Sequence, residues 1–135
     1  MSKEARSPAR PVQKFAIGEA RDWMVWEGVA LADVLNEDET PEIKLGAVGF
    51  LRAPWGVNTS FEFAYDEVLV VTKGRCTVTF GNEELTAGRG EVIYLPAGMA
   101  GSFRTEEDTE LVYVASSPYG EVNRRVKAEL LGAAE

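Results

Sequence analysis

The sequence predicts an all-β domain, a small barrel or sandwich, and three observations carry that expectation. Short runs of β-branched and aromatic residues recur from residue 43 to residue 117. The gaps between them hold Gly, Pro and Asn, the residues that tight turns require. Short strands at near-regular spacing, punctuated in this way, are the pattern of a sandwich or barrel. Thirdly, helical periodicity is confined to Gly120 to Leu131, where Val122, Val126, Leu130 and Leu131 make an apolar stripe and Gly132 is a stop. A short C-terminal helix is expected there.

The elements follow in order. Residues 1–12 are polar, hold two prolines and show no periodicity, so they read as a disordered arm before a single domain over 13–135. Residues 13–40 are mixed, with one short strand permitted around Trp23 to Gly28. Asn36 to Pro41 is an acidic turn. Strands are expected over Ile43 to Leu51, Thr59 to Tyr65, Val68 to Thr72, Cys76 to Phe80, Val92 to Leu95, Gly101 to Arg104 and Leu111 to Ala115. Lys73-Gly74, Gly81-Asn82, Gly88-Arg89-Gly90 and Pro96-Ala97-Gly98 are the turns between them.

Composition bounds the function. A chain of 135 residues with 45% hydrophobic content can bury one core without staples. The formal net charge of −8 repels phosphate backbones and anionic bilayers, so neither nucleic acid nor a membrane is an expected partner. No run reaches the ~18 apolar residues of a membrane span. Met1 to Gln13 lacks the apolar segment of a secretory signal. The single cysteine, Cys76, allows no intrachain disulfide, and a cytoplasmic location is expected. Cys76 lies in an alternating strand, where a thiol serves packing more often than nucleophilic attack.

Two spacings carry more. Gly56 is followed by Phe61-Glu-Phe-Ala-Tyr-Asp-Glu67 and, after six residues, by Gly74; later, Gly90 is followed by Pro96 and Gly98. These resemble the two cupin motifs: a glycine, two histidines one residue apart, a glutamate three or four residues on and a final glycine; then Gly, Pro, Gly, His and Asn. The resemblance implies a double-stranded β-helix, the jelly-roll barrel. Tyr65-Asp66-Glu67, the segment Gly90 to Gly98, and Leu111 to Val114 before Pro118 resemble one cupin family further, the ethanolamine-utilisation family EutQ. Glu91 and Ala97 stand where that family has aspartate and lysine. The family implies a homodimer, for which Trp23 to Leu35 is an apolar candidate surface, and an association with microcompartments and acetate-kinase-like phosphotransfer.

The cupin motif's metal ligands are missing. With the four-residue spacer counted back from Glu67, the histidine positions hold Ser60 and Glu62; the third holds Gly101 and the asparagine position Thr105. The chain contains no histidine. No cofactor and no tightly bound transition metal is therefore expected, although two carboxylates could hold a hard cation with further oxygen ligands.

On that count Ser60, Glu62 and Ala64 face the lumen, while Phe61 and Phe63 face away. Glu62 and Glu67 then converge, and one of two close carboxylates titrates high, which is how a general acid or base for neutral pH is made. The expected catalytic set is Glu62, Glu67, Tyr65 and Tyr113. The expected ligand-binding set is Trp55, Ser60, Tyr94, Met99 and Phe103. Three readings stay open: a metal-independent enzyme doing isomerase- or lyase-type acid–base chemistry on a small polar metabolite, a non-catalytic binding or accessory protein, and a carboxylate metalloenzyme. No phosphate loop is present, and Lys73, Arg75 and Arg89 read as solvated.

Overall fold

Alternating burial along the strands folds the chain into two antiparallel sheets that share one core. The computed structural model describes residues 11–119, so the helix expected over 120–131 and residues 1–10 of the arm expected over 1–12 lie outside the described residues. A short 3-10 turn at Ile17–Glu19 precedes ten strands: β1 Met24–Trp26, β2 Val29–Asn36, β3 Ala47–Ala53, β4 Asn58–Glu62, β5 Glu67–Lys73, β6 Arg75–Phe80, β7 Glu83–Gly88, β8 Val92–Leu95, β9 Ala100–Thr105 and β10 Thr109–Ala115. One sheet has the order β1-β2-β3-β10-β5-β8 and the other β4-β9-β6-β7. Among the described residues no helix is long and apolar enough to cross a membrane.

The period of two decides what faces inward. Along β5 and β10 every second residue is buried, which points Glu67, Leu69 and Val71, and Leu111, Tyr113 and Ala115, at the core. Cys76, Val78, Ala87 and Phe103 meet them from the four-stranded sheet. Fully burying a valine, leucine or phenylalanine side chain among these contributes roughly 1.5–3 kcal/mol, the main source of cohesion between the layers.

The expected strands appear with shifted ends. The run from Ile43 begins pairing only at Ala47, because Gly46 lies against Ser116 and Tyr119, where an added Cβ would stand 2.2 Å from the Ser116 carbonyl oxygen. The run through Tyr65 stops at Glu62, and the Phe63 carbonyl then accepts from the Gly98 amide at 2.8 Å. The motif glycines Gly90 and Gly98 hold φ of +87° and +84°, the left-handed region that turns require. β2 is the one long strand the sequence did not announce. It pairs with both β1 and β3, and its register slips between Asp33 and Leu35.

Candidate functional site

The site is assembled on the inner face of the six-stranded sheet. In register, Glu67 lies between Ala115 and Leu95. One step along, Tyr113 lies between Leu69 and Gly49, and Gly49 lies opposite Asp33. Four strands thus bring Glu67, Tyr113 and Asp33 onto one face.

Glu67 is buried at 8% exposure. Burial first, and then the Asp33 charge, push its pKa up to about 8. Desolvation penalises the charged form, and a nearby like charge adds to that penalty. Glu67 therefore carries its proton at neutral pH while remaining within reach of losing it.

Asp33 is the hub. Its Oδ1 accepts hydrogen bonds from the Tyr113 hydroxyl and, at 2.9 Å, from the Tyr119 hydroxyl. The Asn36 Nδ2 donates to Oδ2 at 3.3 Å. Tyr113 reaches Asp33 by crossing Gly49, where an added Cβ would lie 2.3 Å from the ring and hydroxyl. The bulge in β2 falls beside Asp33, a common device for aiming a side chain at a site. Burial raises the pKa of Tyr65, Tyr113 and Tyr119, and the Asp33 charge raises each further, so these phenols stay protonated.

The phase expected for β4 is corrected. Ser60, Glu62 and Ala64 are exposed, whereas Phe61 and Phe63 are partly buried against the core. Phe61, Phe63 and Tyr65 stack with centroids 5.6 and 5.0 Å apart, and Tyr65 meets Tyr119 edge-on at 5.2 Å. The reason is hydrophobic: two phenylalanines gain more from the interior than serine, glutamate and alanine do. The three-residue spacer that the motif also permits places Phe61 and Phe63 at the histidine positions. Gly101 pairs with Phe61, and a Cβ there would lie 2.9 Å from that ring. The residues at the motif's ligand positions are thus two rings and a glycine that accommodates one of them. They do not fit a metal ion, and no cluster of His, Cys, Asp and Glu suited to a metal occurs among the described residues.

The remaining expected residues divide. Tyr65 and Tyr113 join the cluster. Glu62 does not, so the expected Glu62–Glu67 pair is replaced by Asp33 and Glu67. Trp55 is 71% exposed. Tyr94 is 58% exposed on the outer face. Met99 is half-buried, and Phe103 is a core residue paired with Val78. Asp66, between the inward Tyr65 and Glu67, braces the loops instead: its Oδ1 accepts from the Ala97 amide at 2.8 Å and its own amide donates to Ser116 Oγ at 2.9 Å. Cys76 is fully buried, with its thiol pushed up to about 11 by burial and then Glu106, so it packs and is not primed to react. A polar recess of about 90 Å³ opens beside the cluster, lined by Asp22, Met24, Leu31, Asp33, Asn36, Glu39 and Tyr119.

Asp33, Asn36 and Tyr119 were missed. The available signal was a lone aspartate in the otherwise apolar Val29-Ala-Leu-Ala-Asp-Val-Leu35. Replacing Asp33 by Asn is expected to lower the Glu67 pKa only in part, because burial is the larger cause. Glu62→Gln is expected to leave it in place. Carbon-detected NMR of the glutamate carboxyls measures both, and an equal response to the two changes would contradict this geometry.

A sequence profile of the family described as ethanolamine utilisation protein EutQ matches residues 13–119. The acetate kinase EutQ of Salmonella typhimurium is 29% identical over 89 residues, covering 64% of this chain. The chain spans between 36% and 53% of the length of the curated relatives it matches. A crystal structure described as a putative ethanolamine utilisation protein Q, from the same organism, has a TM-score of 0.63 at 25% identity, over 70% of this chain and 77% of that one. The Schizosaccharomyces pombe Cnp3 cupin domain has a TM-score of 0.64 at 17% identity, over 83% and 79% of the two chains, a likeness of fold alone.

Proposed function

We propose, for a chain that belongs to the family of ethanolamine utilisation protein EutQ and has the cupin fold, that it binds a small polar metabolite at the inner-face cluster and exchanges a proton with it through Glu67. The observation that carries this reading is the placement of the Glu67 carboxyl, on a residue only 8% exposed, on the same face of the sheet where Asp33 holds two phenols. A group that titrates near neutral pH populates both its donor and its acceptor form, the condition for general acid–base catalysis. Asp33 orients Tyr113 and Tyr119, and those phenols fix its carboxylate in return.

The chemistry asked of the chain is one proton transfer between Glu67 Oε and the bound molecule, with no metal step. The acetate kinase activity in the Salmonella relative's name belongs to a longer protein, of which this chain spans 36%. The cations that phosphotransfer would call on are turned to solvent: Lys73, Arg75 and Arg89 are exposed, with Arg75 engaged by Glu106 and Glu107. The homodimer and the cytoplasmic location remain proposals from the family and play no part in the mechanism.

Titration of the glutamate carboxyl carbons tests the reading. One signal is expected to titrate near pH 8 and to vanish in Glu67→Gln. Titration of Glu67 in the ordinary range, near pH 4–5, would end the proposal.

A further inference from the structure

We infer that the outer face of the six-stranded sheet, over β3, β10, β5 and β8, is the surface on which a second copy of this chain docks, sheet against sheet. The inference is independent of the proton-transfer reading, because it concerns side chains that point away from the inner-face cluster. It also names a different surface from the run Trp23 to Leu35.

Register is the first argument. Val48, Val114, Val68 and Tyr94 lie in one row across the four strands. Phe50, Val112, Val70 and Val92 lie in the next. Each is one step along its strand from an inward residue such as Gly49, Tyr113, Leu69 or Ile93, so all eight project outward. None is charged and none is fully buried. Val92 and Tyr94, on the edge strand β8, are 59% and 58% exposed.

The four-stranded sheet supplies the contrast. An outer row there holds Ser60, Ser102, Thr79 and Glu84. Apolar residues inward and polar ones outward are the pattern of an antiparallel sheet with water on one side. The strands of the larger sheet read instead as continuous apolar runs, Val68 to Val71, Val92 to Leu95 and Leu111 to Ala115. Strands with that pattern are covered on both faces. A contiguous apolar patch left open to water marks an interaction surface.

Area and charge select the occupant. Six strands, with seven residues in β3, β5 and β10, span roughly 29 by 23 Å, about 650 Å² in projection. Side-chain relief raises the accessible area toward the ~800 Å² that each partner brings to a standard interface. The net charge of −8 makes two copies repel unless they meet on uncharged ground, which this face provides. Its two ends differ in sign. Arg52 and Lys73 stand at one, with Glu110 between them in register, and Asp66 precedes β5 at the other. A two-fold axis lying across the strands turns the Lys73 end of each copy toward the Asp66 end of the other. That is the self-complementarity an isologous pair requires. An anionic bilayer would meet the same overall repulsion with no such pairing.

Sedimentation equilibrium of the full chain over micromolar concentrations tests the inference. A reversible monomer–dimer equilibrium is expected. Val92→Glu should raise the dissociation constant at least about tenfold, since a two-fold interface carries the change twice and each copy must desolvate a charge. Tyr94→Lys should act in the same direction. Both positions are already more than half exposed, so the monomer keeps its fold, which far-UV circular dichroism checks. Should Val92→Glu fail that check, Tyr94→Lys decides alone. Leu85→Glu, at a 50% exposed position on β7 of the other sheet, should leave the dissociation constant unchanged. A dimer that folded Tyr94→Lys does not weaken, or that Leu85→Glu weakens equally, would overturn the inference. So would a monomer at every concentration, which would leave the face to another occupant, residues 120–131 of the chain or a different protein.

Discussion

Glu67→Gln is expected to stabilise the protein in mildly alkaline solution and to abolish most of its pH dependence between about pH 5 and 8. The folded pKa of about 8 lies above the ordinary 4.5, so the folded chain holds a proton that the unfolded chain has already released. Stability from this group is fully present below the unfolded value, declines as pH rises, and is gone above the folded value. A tenfold change in proton affinity is worth about 1.4 kcal/mol, so the decline amounts to a few kcal/mol. Glutamine carries no charge at any pH and escapes it. Its buried amide still costs about 1–3 kcal/mol if it finds no partner, which sets the net gain near pH 8 at roughly 1–3 kcal/mol and leaves the variant the weaker one in acid. Melting curves from pH 4 to 9 check this. Parallel curves for the two proteins would show that Glu67 does not titrate in this range.

Gly49→Ala is expected to be strongly destabilising and to disrupt the inner-face cluster directly. The added carbon would lie 2.3 Å from the Tyr113 ring and hydroxyl and 2.6 Å from the Ala32 carbonyl oxygen. Strand pairing fixes the backbone on both sides, so the ring must move and release Asp33. Overpacking costs about 1–3 kcal/mol, and a lost hydrogen bond to a charged group about 1.5–3 kcal/mol. A loss of about 3 kcal/mol, or roughly 10 °C in melting temperature, is the expected outcome. Gly18→Ala, where no atom lies within 4 Å, should change little and serves as the control. Because Gly49→Ala and Tyr113→Phe break the same bond, the double variant should lose less than the two losses combined. Full additivity would show that the ring does not depend on the glycine.

The strands and their turns were legible because both signals are local. Short continuous apolar runs rich in β-branched residues over Val68 to Thr72 and Leu111 to Ala115, bounded by turn residues, identify the elements with no knowledge of their neighbours. Glu67 and Tyr65 were legible through the motif, which marks a fixed place in the barrel. The phase of β4 was also written in the chain, as Phe61, Phe63 and Tyr65 on one side and Ser60, Glu62 and Ala64 on the other. Counting the motif's longer spacer set that pattern aside, and the interior accepted the rings.

The sequence by itself determined an all-β cupin, an inward carboxylate at residue 67 and the loss of every imidazole ligand. Only the tertiary structure decided that carboxylate's partner. Asp33 and Tyr113 are separated by 80 residues, and they meet because β2, β3 and β10 lie side by side with a glycine between the two side chains. Strand order and register are set by the closure of the whole sheet, a property that no local pattern contains, and burial within that sheet is what turns Glu67 from an ordinary acid into one that keeps its proton at neutral pH.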